Sequence, residues 1–278
     1  MGLLFKEVDD GLTLLYLLGL PNIKLLGITT TFGNGTIEQV YSQTKKLVHQ
    51  IGINTPVKQG EISPGGTYNT PAAKFLVEMV NQYPNEITIL AIGPLGNLYA
   101  ASQIDKDFFH KVQSIVTMGG YLNPVILGRR DLSELNFSAN PQASMHVLFA
   151  PCPVTVFSAQ ICLDAPYRLK NIFRAKFWPF RLKIILLQWL LSFGYHTGEM
   201  VFYLWDLLPA VYLSEPEIFD IHRFSLASTL SDIKQGFLIE AKSDKNHTIS
   251  LGKKINDIGK FYSHLELTWQ RAIENLNL

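Results

Sequence analysis

The stretch Val8-Asp9-Asp10-Gly11 leads directly into the apolar run of residues 12–18, LTLLYLL. A carboxylate in the first turn of a helix is stabilised by the free N–H groups and the positive end of the helix dipole. Because neighbouring helical residues point about 100° apart, one acid can face a metal ion while the other faces a ligand. Ordinary helix capping is the commoner reason for such a pair, so the downstream sequence decides between the two interpretations.

Composition limits the possible partners and compartment. The chain has 278 residues with 24 basic and 23 acidic side chains, and it has no basic stripe that would suggest nucleic acid or an anionic membrane. Its two cysteines, Cys152 and Cys162, are too few for a disulfide framework and suit buried packing in a reducing cytoplasm. Residues 184–191 are the most apolar stretch, far short of the ~20 residues of a membrane-spanning helix. Without a signal-peptide pattern at the N-terminus, we expect a cytoplasmic protein.

Strand-like and helix-like segments alternate along the chain. Predicted strands cover residues 23–31, 86–92, 114–118 and 153–161, and predicted helices cover residues 12–20, 36–50, 71–83 and 141–150. We also predict two or three helices over 166–205, a hairpin over 236–250 and a closing helix over 256–275. This alternation predicts an α/β fold in which helices flank a mostly parallel central sheet, open and Rossmann-like. We expect one domain over residues 1–278, with 166–205 as a possible helical flap.

In such sheets, ligands bind beyond the carboxyl ends of the strands. The segments expected near those ends are Asp9-Asp10-Gly11, residues 27–31 (GITTT) with Gly33-Asn34, residues 91–98 (AIGPLGNL), residues 116–120 (VTMGG), residues 134–137 (ELNF) with Asn140-Pro141, and Trp205-Asp206. In order and spacing they resemble those of the nucleoside hydrolase family of the inosine/uridine-preferring type.

The resemblance implies hydrolysis of the N-glycosidic bond of a ribonucleoside, which gives ribose and a free base. It also implies a calcium ion at the strand ends, held by oxygen ligands, that lowers the pKa of a bound water. Nearby carboxylates would stabilise the oxocarbenium-like transition state. Family members are commonly homodimers or homotetramers, so we expect the same here, with a small-molecule ribonucleoside as the partner.

Site residues are carried over from the resemblance by position. Those expected to bind the metal are Asp10, the backbone carbonyl of Ile92, and Asp206. Those expected to contact the substrate are Asp9, Asn34, Met118, Glu134, Asn136, Trp205 and Asp206, with Asp9, Asp10 and Asp206 as the catalytic carboxylates.

Most of these residues also have a plainer explanation. Asn34 lies between two glycines, where it could simply satisfy a turn. Glu134 and Asn136 could belong to a solvated loop, and Met118 could be core packing. Asp206 is harder to explain in this way, because an unpaired buried carboxylate is costly.

The chain departs from the family at its N-terminus. The family's first strand ends in Asp-x-Asp-Pro-Gly-x-Asp-Asp, but here Leu3 and Phe5 stand in place of the first two acids. The first of these acids is both a metal ligand and the expected general base. Its loss weakens calcium binding and removes about 10²–10⁴-fold of rate. Glu7 is nearby but would need a different backbone path to replace it.

Three interpretations of this departure remain open. A truncated or wrongly assigned start is the one that we favour, and the loss of a central strand would also lower stability. Alternatively, the chain is a working variant that binds a nucleoside or ribose without hydrolysing it, and a third option is an inactive remnant.

Two further departures concern the base. Trp205 stands where many members carry a histidine that protonates the leaving base, and its ring could stack on the base instead. His196 could replace that acid but is more simply structural, and Arg129 and Arg130 follow a glycine in a segment that is more simply a solvated loop.

We predict that the double substitution Leu3→Asp/Phe5→Asp raises both calcium affinity and nucleoside turnover, because it restores two carboxylates to the aligned positions. Calcium titration by calorimetry and release of reducing sugar measure the two effects. No change in either quantity would contradict the alignment of the N-terminus.

Overall fold

The computed structural model describes residues 8–242 and 247–278. The strands are β1 Ile28–Thr30, β2 Val57–Gln59, β3 Thr88–Ala91, β4 Ser114–Met118, β5 Ile126–Leu127, β6 Arg130–Asp131, β7 Val154–Phe157, β8 Pro166–Arg168, β9 Val201–Tyr203, β10 Phe219–Ser225 and β11 Thr248–Ile255. The helices are α1 Asp9–Leu18, α2 Ile37–Gln50, α3 Pro71–Gln82, α4 Gly96–Ile104, α5 Phe108–Lys111, α6 Pro141–Leu148, α7 Ala159–Cys162, α8 Leu169–Arg174, α9 Phe180–Thr197, α10 Leu207–Tyr212, α11 Leu230–Lys234 and α12 Ile258–Leu276, with a 3₁₀ turn at Pro216–Ile218.

The central sheet has five strands in the order β10-β11-β7-β4-β3. Strands β3, β4, β7 and β11 are parallel, and β10 joins the edge antiparallel to β11. In the middle of the sheet, Val116 pairs with Leu90 on one side and Thr155 on the other. All four residues of β7 are buried, as expected for a strand that is covered on both faces. The predicted α/β fold with a mostly parallel central sheet is confirmed.

Strands β1 and β2 form a separate parallel pair within the described part of the chain. A cavity of about 660 Å³ is lined by every residue of 22–34 and every residue of 86–95. Since successive strand residues point to opposite faces, this unbroken lining means that the cavity runs along the facing edges of β1 and β3. Within the described residues no strand joins β1 to β3, and the cavity extends from between them to the strand carboxyl ends.

Three sequence predictions need correction. The strand predicted over 153–161 ends at Phe157, because Ser158 begins a short helix, α7. The segment 166–205 does contain two helices, α8 and α9, but β8 and β9 flank them and pair antiparallel. The hairpin predicted over 236–250 is wrong for its described residues, since β11 pairs instead with β10, a strand that the sequence analysis missed. Residues 243–246 of that prediction lie outside the described residues.

Helix α1 begins at Asp9, three residues earlier than predicted, and it packs against α10 and α12. The close approach to α12 requires a glycine at position 19, where a Cβ atom would lie 2.0 Å from the Thr268 carbonyl oxygen. The Trp269 indole N–H donates to the Leu12 carbonyl across 2.9 Å. These contacts fix the start of α1, and with it the two carboxylates.

A buried tyrosine also holds α1 in place. Tyr16 is fully buried, and its hydroxyl lies 2.6 Å from Ser214 Oγ and 2.8 Å from His264 Nε2. Tyr16 thus joins α1 to the end of α10 and to α12. Within the described ranges, no helix has the combined length and hydropathy needed to cross a bilayer.

We predict that Tyr16→Phe lowers the free energy of unfolding by about 1–3 kcal/mol, because Ser214 and His264 lose a buried partner. Urea denaturation measures the change. Tyr195→Phe is the matched control, since Tyr195 is 87% exposed and should leave the midpoint unchanged. An equal effect of the two substitutions would contradict the assigned role of Tyr16.

Candidate active site

Three carboxylates from two distant parts of the chain meet at one point. Oxygen atoms of Asp9, Asp10 and Asp206 all lie within 4.8 Å of one another. Asp9 and Asp10 form the first turn of α1, and Asp206 directly precedes α10, which packs against α1. Asp9 and Asp206 are buried. Burial raises the pKa of the neighbouring Cys162 thiol, and the negative charges of Asp206 and Asp9 raise it further.

The cluster fits a hard divalent cation. Carboxylate oxygens brought this close repel one another, and a bound cation would offset the repulsion. All three side chains offer oxygen alone, which is the donor type that calcium and magnesium take in proteins.

Asn136 connects the carboxyl ends of two central strands. Its Nδ2 donates to the Met118 carbonyl across 3.0 Å and to the Ile92 carbonyl across 3.4 Å, and it lies 3.3 Å from Met118 Sδ. Asn136 is buried, so it does not belong to a solvated loop. A carbonyl oxygen has two lone pairs, so this hydrogen bond leaves Ile92 able to accept a second partner.

Glu134 holds the segment around Asn136 in place through its carboxylate. Its carboxylate accepts hydrogen bonds from the backbone N–H groups of Gly120, Phe137 and Ser138, at 2.7–3.2 Å. Burial raises the pKa of Glu134, and these N–H groups oppose the shift. Glu134 therefore shapes the loop as well as lining the cavity.

The cavity brings together all of the site residues that the sequence predicted. Its lining includes Asp9, Asp10, Asn34, Ile92, Met118, Glu134, Asn136, Trp205 and Asp206. Asn34 is exposed in the turn after β1, whereas Trp205 is 6% exposed and its ring packs against Tyr203. His196, Arg129 and Arg130 are exposed and do not line the cavity. We therefore keep the simpler explanations, a structural histidine and two arginines in a solvated segment. Leu3, Phe5 and Glu7 lie outside the described residues.

The sequence analysis missed a further buried carboxylate, Glu61, which is the single charged side chain in the Gly-, Pro- and Ser-rich segment 59–69. Its Oε1 accepts a hydrogen bond from Asn140 Nδ2 across 2.6 Å. Burial raises the pKa of Glu61 to about 7, and the hydrogen bond from Asn140 opposes that shift. A lone acid in an otherwise uncharged loop was the signal that could have identified it.

Together, the mostly parallel sheet and the acidic cluster at its carboxyl end define an α/β protein with a candidate metal centre beside a large cavity. Comparison with known proteins then gives the family. The profile described as "Inosine-uridine preferring nucleoside hydrolase" matches residues 6–262. The chain belongs to this family.

One curated relative is Uridine nucleosidase 1 from Arabidopsis thaliana, which is 31% identical over 183 residues, covering 55% of this chain and 54% of the relative. Thus the chain spans about half the length of the curated relatives it matches. Among solved structures, a plant nucleoside hydrolase, the PpNRh1 enzyme, superposes with a TM-score of 0.84 over 95% of this chain and 96% of that one, at 19% identity. A purine-preferring ribonucleoside hydrolase from Gardnerella vaginalis superposes with a TM-score of 0.81 over 98% of each chain, also at 19% identity. These two likenesses concern the fold.

We predict that Glu134→Gln lowers the free energy of unfolding by about 1–3 kcal/mol, because the new amide NH₂ meets a backbone N–H group that needs an acceptor. Urea denaturation measures the loss, and amide exchange at Phe137 and Ser138 locates it. Asp131→Asn is the matched control, since Asp131 is exposed in the same part of the chain. Unchanged exchange at both amides in Glu134→Gln would show that the carboxylate does not hold this loop.

Proposed function

We propose that this chain binds a ribonucleoside at the carboxyl end of its sheet and hydrolyses the N-glycosidic bond to release ribose and a free base. The observation that carries this proposal is the convergence of Asp9, Asp10 and Asp206 on one wall of the cavity. Family membership supports the reaction class.

We propose calcium as the resident cation, held by the carboxylates of Asp10 and Asp206 and by the backbone carbonyl of Ile92. When bound, calcium would lower the pKa of a coordinated water and so ease the loss of its proton. The mixed carboxylate and carbonyl donor set suits this cation, which accepts both kinds of oxygen in flexible geometry.

The remaining residues bind and orient the substrate in this proposal. Asp9, Asn34, Glu134 and Asn136 hold the ribose hydroxyls, and Asp206 contacts both the sugar and the cation. Three backbone N–H groups donate to the Glu134 carboxylate, and since an ionised carboxylate has about four lone-pair sites, about one is left for a sugar hydroxyl. Trp205 and Met118 provide the apolar wall against which the base stacks.

The carboxylates also act on the reaction itself. The sugar becomes positively charged as the glycosidic bond breaks, and the negative charges of Asp9, Asp10 and Asp206 stabilise that charge. Two of these groups are buried, and their effect is larger there than in water. Because Leu3 stands at the position of the expected general base, turnover is about 10²–10⁴-fold lower than in a site that has the base.

The same substitution supports a second candidate function. A chain that keeps its sugar-binding residues but lacks the first two acids would serve as a non-catalytic ribose or nucleoside binder. Leu3 and Phe5 are the specific observation in favour of that function.

Three further parts of the proposal rest on the family resemblance: a role in purine or pyrimidine nucleoside salvage, a cytoplasmic location, and assembly into a homodimer or homotetramer. The base remains to be assigned by assay, since the relatives include a uridine nucleosidase and a purine-preferring hydrolase.

We predict that the purified protein releases reducing sugar from at least one of inosine, guanosine, uridine and cytidine in the presence of calcium, and that EDTA abolishes the release. Calorimetric titration with ribose runs in parallel. Binding of ribose without any sugar release would favour the binder over the hydrolase, and the absence of both would reject the two functions together.

The substitution Asp206→Asn should lower calcium affinity by at least tenfold, because a neutral amide replaces one charged ligand in a site whose affinity follows the ligand charge. Calcium titration by calorimetry measures this directly. Asp107→Asn is the matched control, because Asp107 is exposed and does not line the cavity. Equal calcium affinity in the two variants would remove Asp206 from the metal site.

A further inference from the structure

Glu61 connects two loops of the candidate active site without belonging to the acidic cluster. It lies just after β2, and it is 8% exposed. Its main chain contacts the segment that follows β1, and its side chain contacts the segment that precedes α6. These two segments carry Asn34 on one side and Glu134 with Asn136 on the other.

The main-chain contacts fix the end of β1. The Phe32 N–H group donates to the Glu61 carbonyl across 3.2 Å, and the Glu61 N–H group donates to Asn97 Oδ1 across 2.8 Å. The same Asn97 donates its Nδ2 to the Thr30 carbonyl across 3.0 Å. The backbone on both sides of Thr31 is thereby tied to Glu61 and to α4, only two residues before Asn34.

The side-chain contact fixes the other loop. Asn140 donates Nδ2 to Glu61 Oε1 across 2.6 Å while its own Oδ1 accepts from the Ala143 N–H group and caps α6. The Ser144 hydroxyl then donates to the carbonyls of Phe137 and Asn140. The short segment from Asn136 to Asn140 is therefore held at its end by the pair of Glu61 and Asn140.

The second carboxyl oxygen of Glu61 is buried in a tight space. A Cβ atom at position 96 would lie 1.4 Å from Glu61 Oε2, so only glycine fits there. Within the described residues, Oε2 has no hydrogen-bond partner. A buried oxygen without a partner costs free energy, so stability alone does not account for a carboxyl group at this position.

We propose that Glu61 is a positioning residue that braces the loop carrying Asn34 against the loop carrying Glu134 and Asn136, and so sets the spacing of the groups that hold the sugar. The effect of this brace on catalysis rests on the proposed function. The brace itself is a property of the chain that is measurable without any substrate.

The brace has a pH dependence of defined sign. Titratable groups on the surrounding elements are Lys58 on β2, Tyr68 in the same loop, Lys74 and Glu78 on α3, Tyr99 on α4 and His146 on α6. Lys58 Nζ lies over the Phe75 ring, and the rings of Tyr68, Tyr99 and His146 pack edge to face in series.

Burial raises the pKa of Glu61 from 4.5 to about 7 in the folded protein, so the folded state binds this proton more tightly than the unfolded state. The contribution of Glu61 to stability therefore falls as pH rises from 4.5 to about 7 and is constant above that.

Hydrogen exchange with mass spectrometry tests the brace, and steady-state kinetics test its consequence. Glu61→Ala should speed amide exchange about tenfold in the segment 134–140, since it removes the buried hydrogen bond from Asn140, whereas the main-chain contact with Phe32 remains and holds the segment 31–35. With a ribonucleoside substrate, KM should rise more than kcat falls. Glu78→Ala is the matched control, because Glu78 is exposed on the neighbouring helix α3.

A pair of substitutions at the contact separates positioning from general destabilisation. Asn140→Asp places two carboxyl groups 2.6 Å apart and should loosen both segments, most strongly above pH 7. In the double variant Asn140→Asp/Glu61→Gln, the amide at position 61 donates to the carboxylate at position 140, so the hydrogen bond is restored in the opposite direction. Amide exchange and KM should then return to wild-type values.

Unchanged exchange in the segment 134–140 of Glu61→Ala would overturn the proposal. A double variant that is no better than Asn140→Asp alone would also overturn it. If the wild type neither binds nor cleaves any nucleoside, the proposed function fails, and the exchange results still decide whether Glu61 is a brace.

Discussion

The packing of α1 against α10 and α12 is the constraint on which the site depends. It forces Asp9 and Asp10 towards Asp206, so that oxygen atoms of all three lie within 4.8 Å, an arrangement that electrostatic repulsion opposes. Apolar burial along α1, the Tyr16 hydroxyl and the Trp269 indole offset that repulsion. The fold thus holds negative charge where a cation would bind, and the stability of the helix packing and the chemistry of the site are coupled.

The cavity lies between the two groups of strands that the structure describes on either side of it. Strands β3 and β4 end at the carbonyls of Ile92 and Met118, which Asn136 links, while β1 with β2 stands apart on the other side of the cavity. Glu61 connects the two sides through hydrogen bonds, because it contacts Phe32 after β1 and Asn140 before α6.

Local patterns predicted the local structure well. The strand over residues 114–118 was predicted to the residue, and Thr36 caps α2 through a capping box as its position indicated. The pairing of β10 with β11 was missed, because the partner of an edge strand is fixed by tertiary packing rather than by its own composition. For the same reason Glu61 escaped notice: its role depends on Asn140, which is distant in sequence. The strand-end residues were found because parallel strands bring their carboxyl ends to one edge.

A crystal structure determined from crystals soaked in calcium tests the central claim most directly. The account predicts one calcium ion bound between Asp10 and Asp206, with carboxylate oxygens from both at about 2.3–2.6 Å. Carboxylates of Asp10 and Asp206 that lie apart, or a calcium ion bound only elsewhere on the protein, would contradict it.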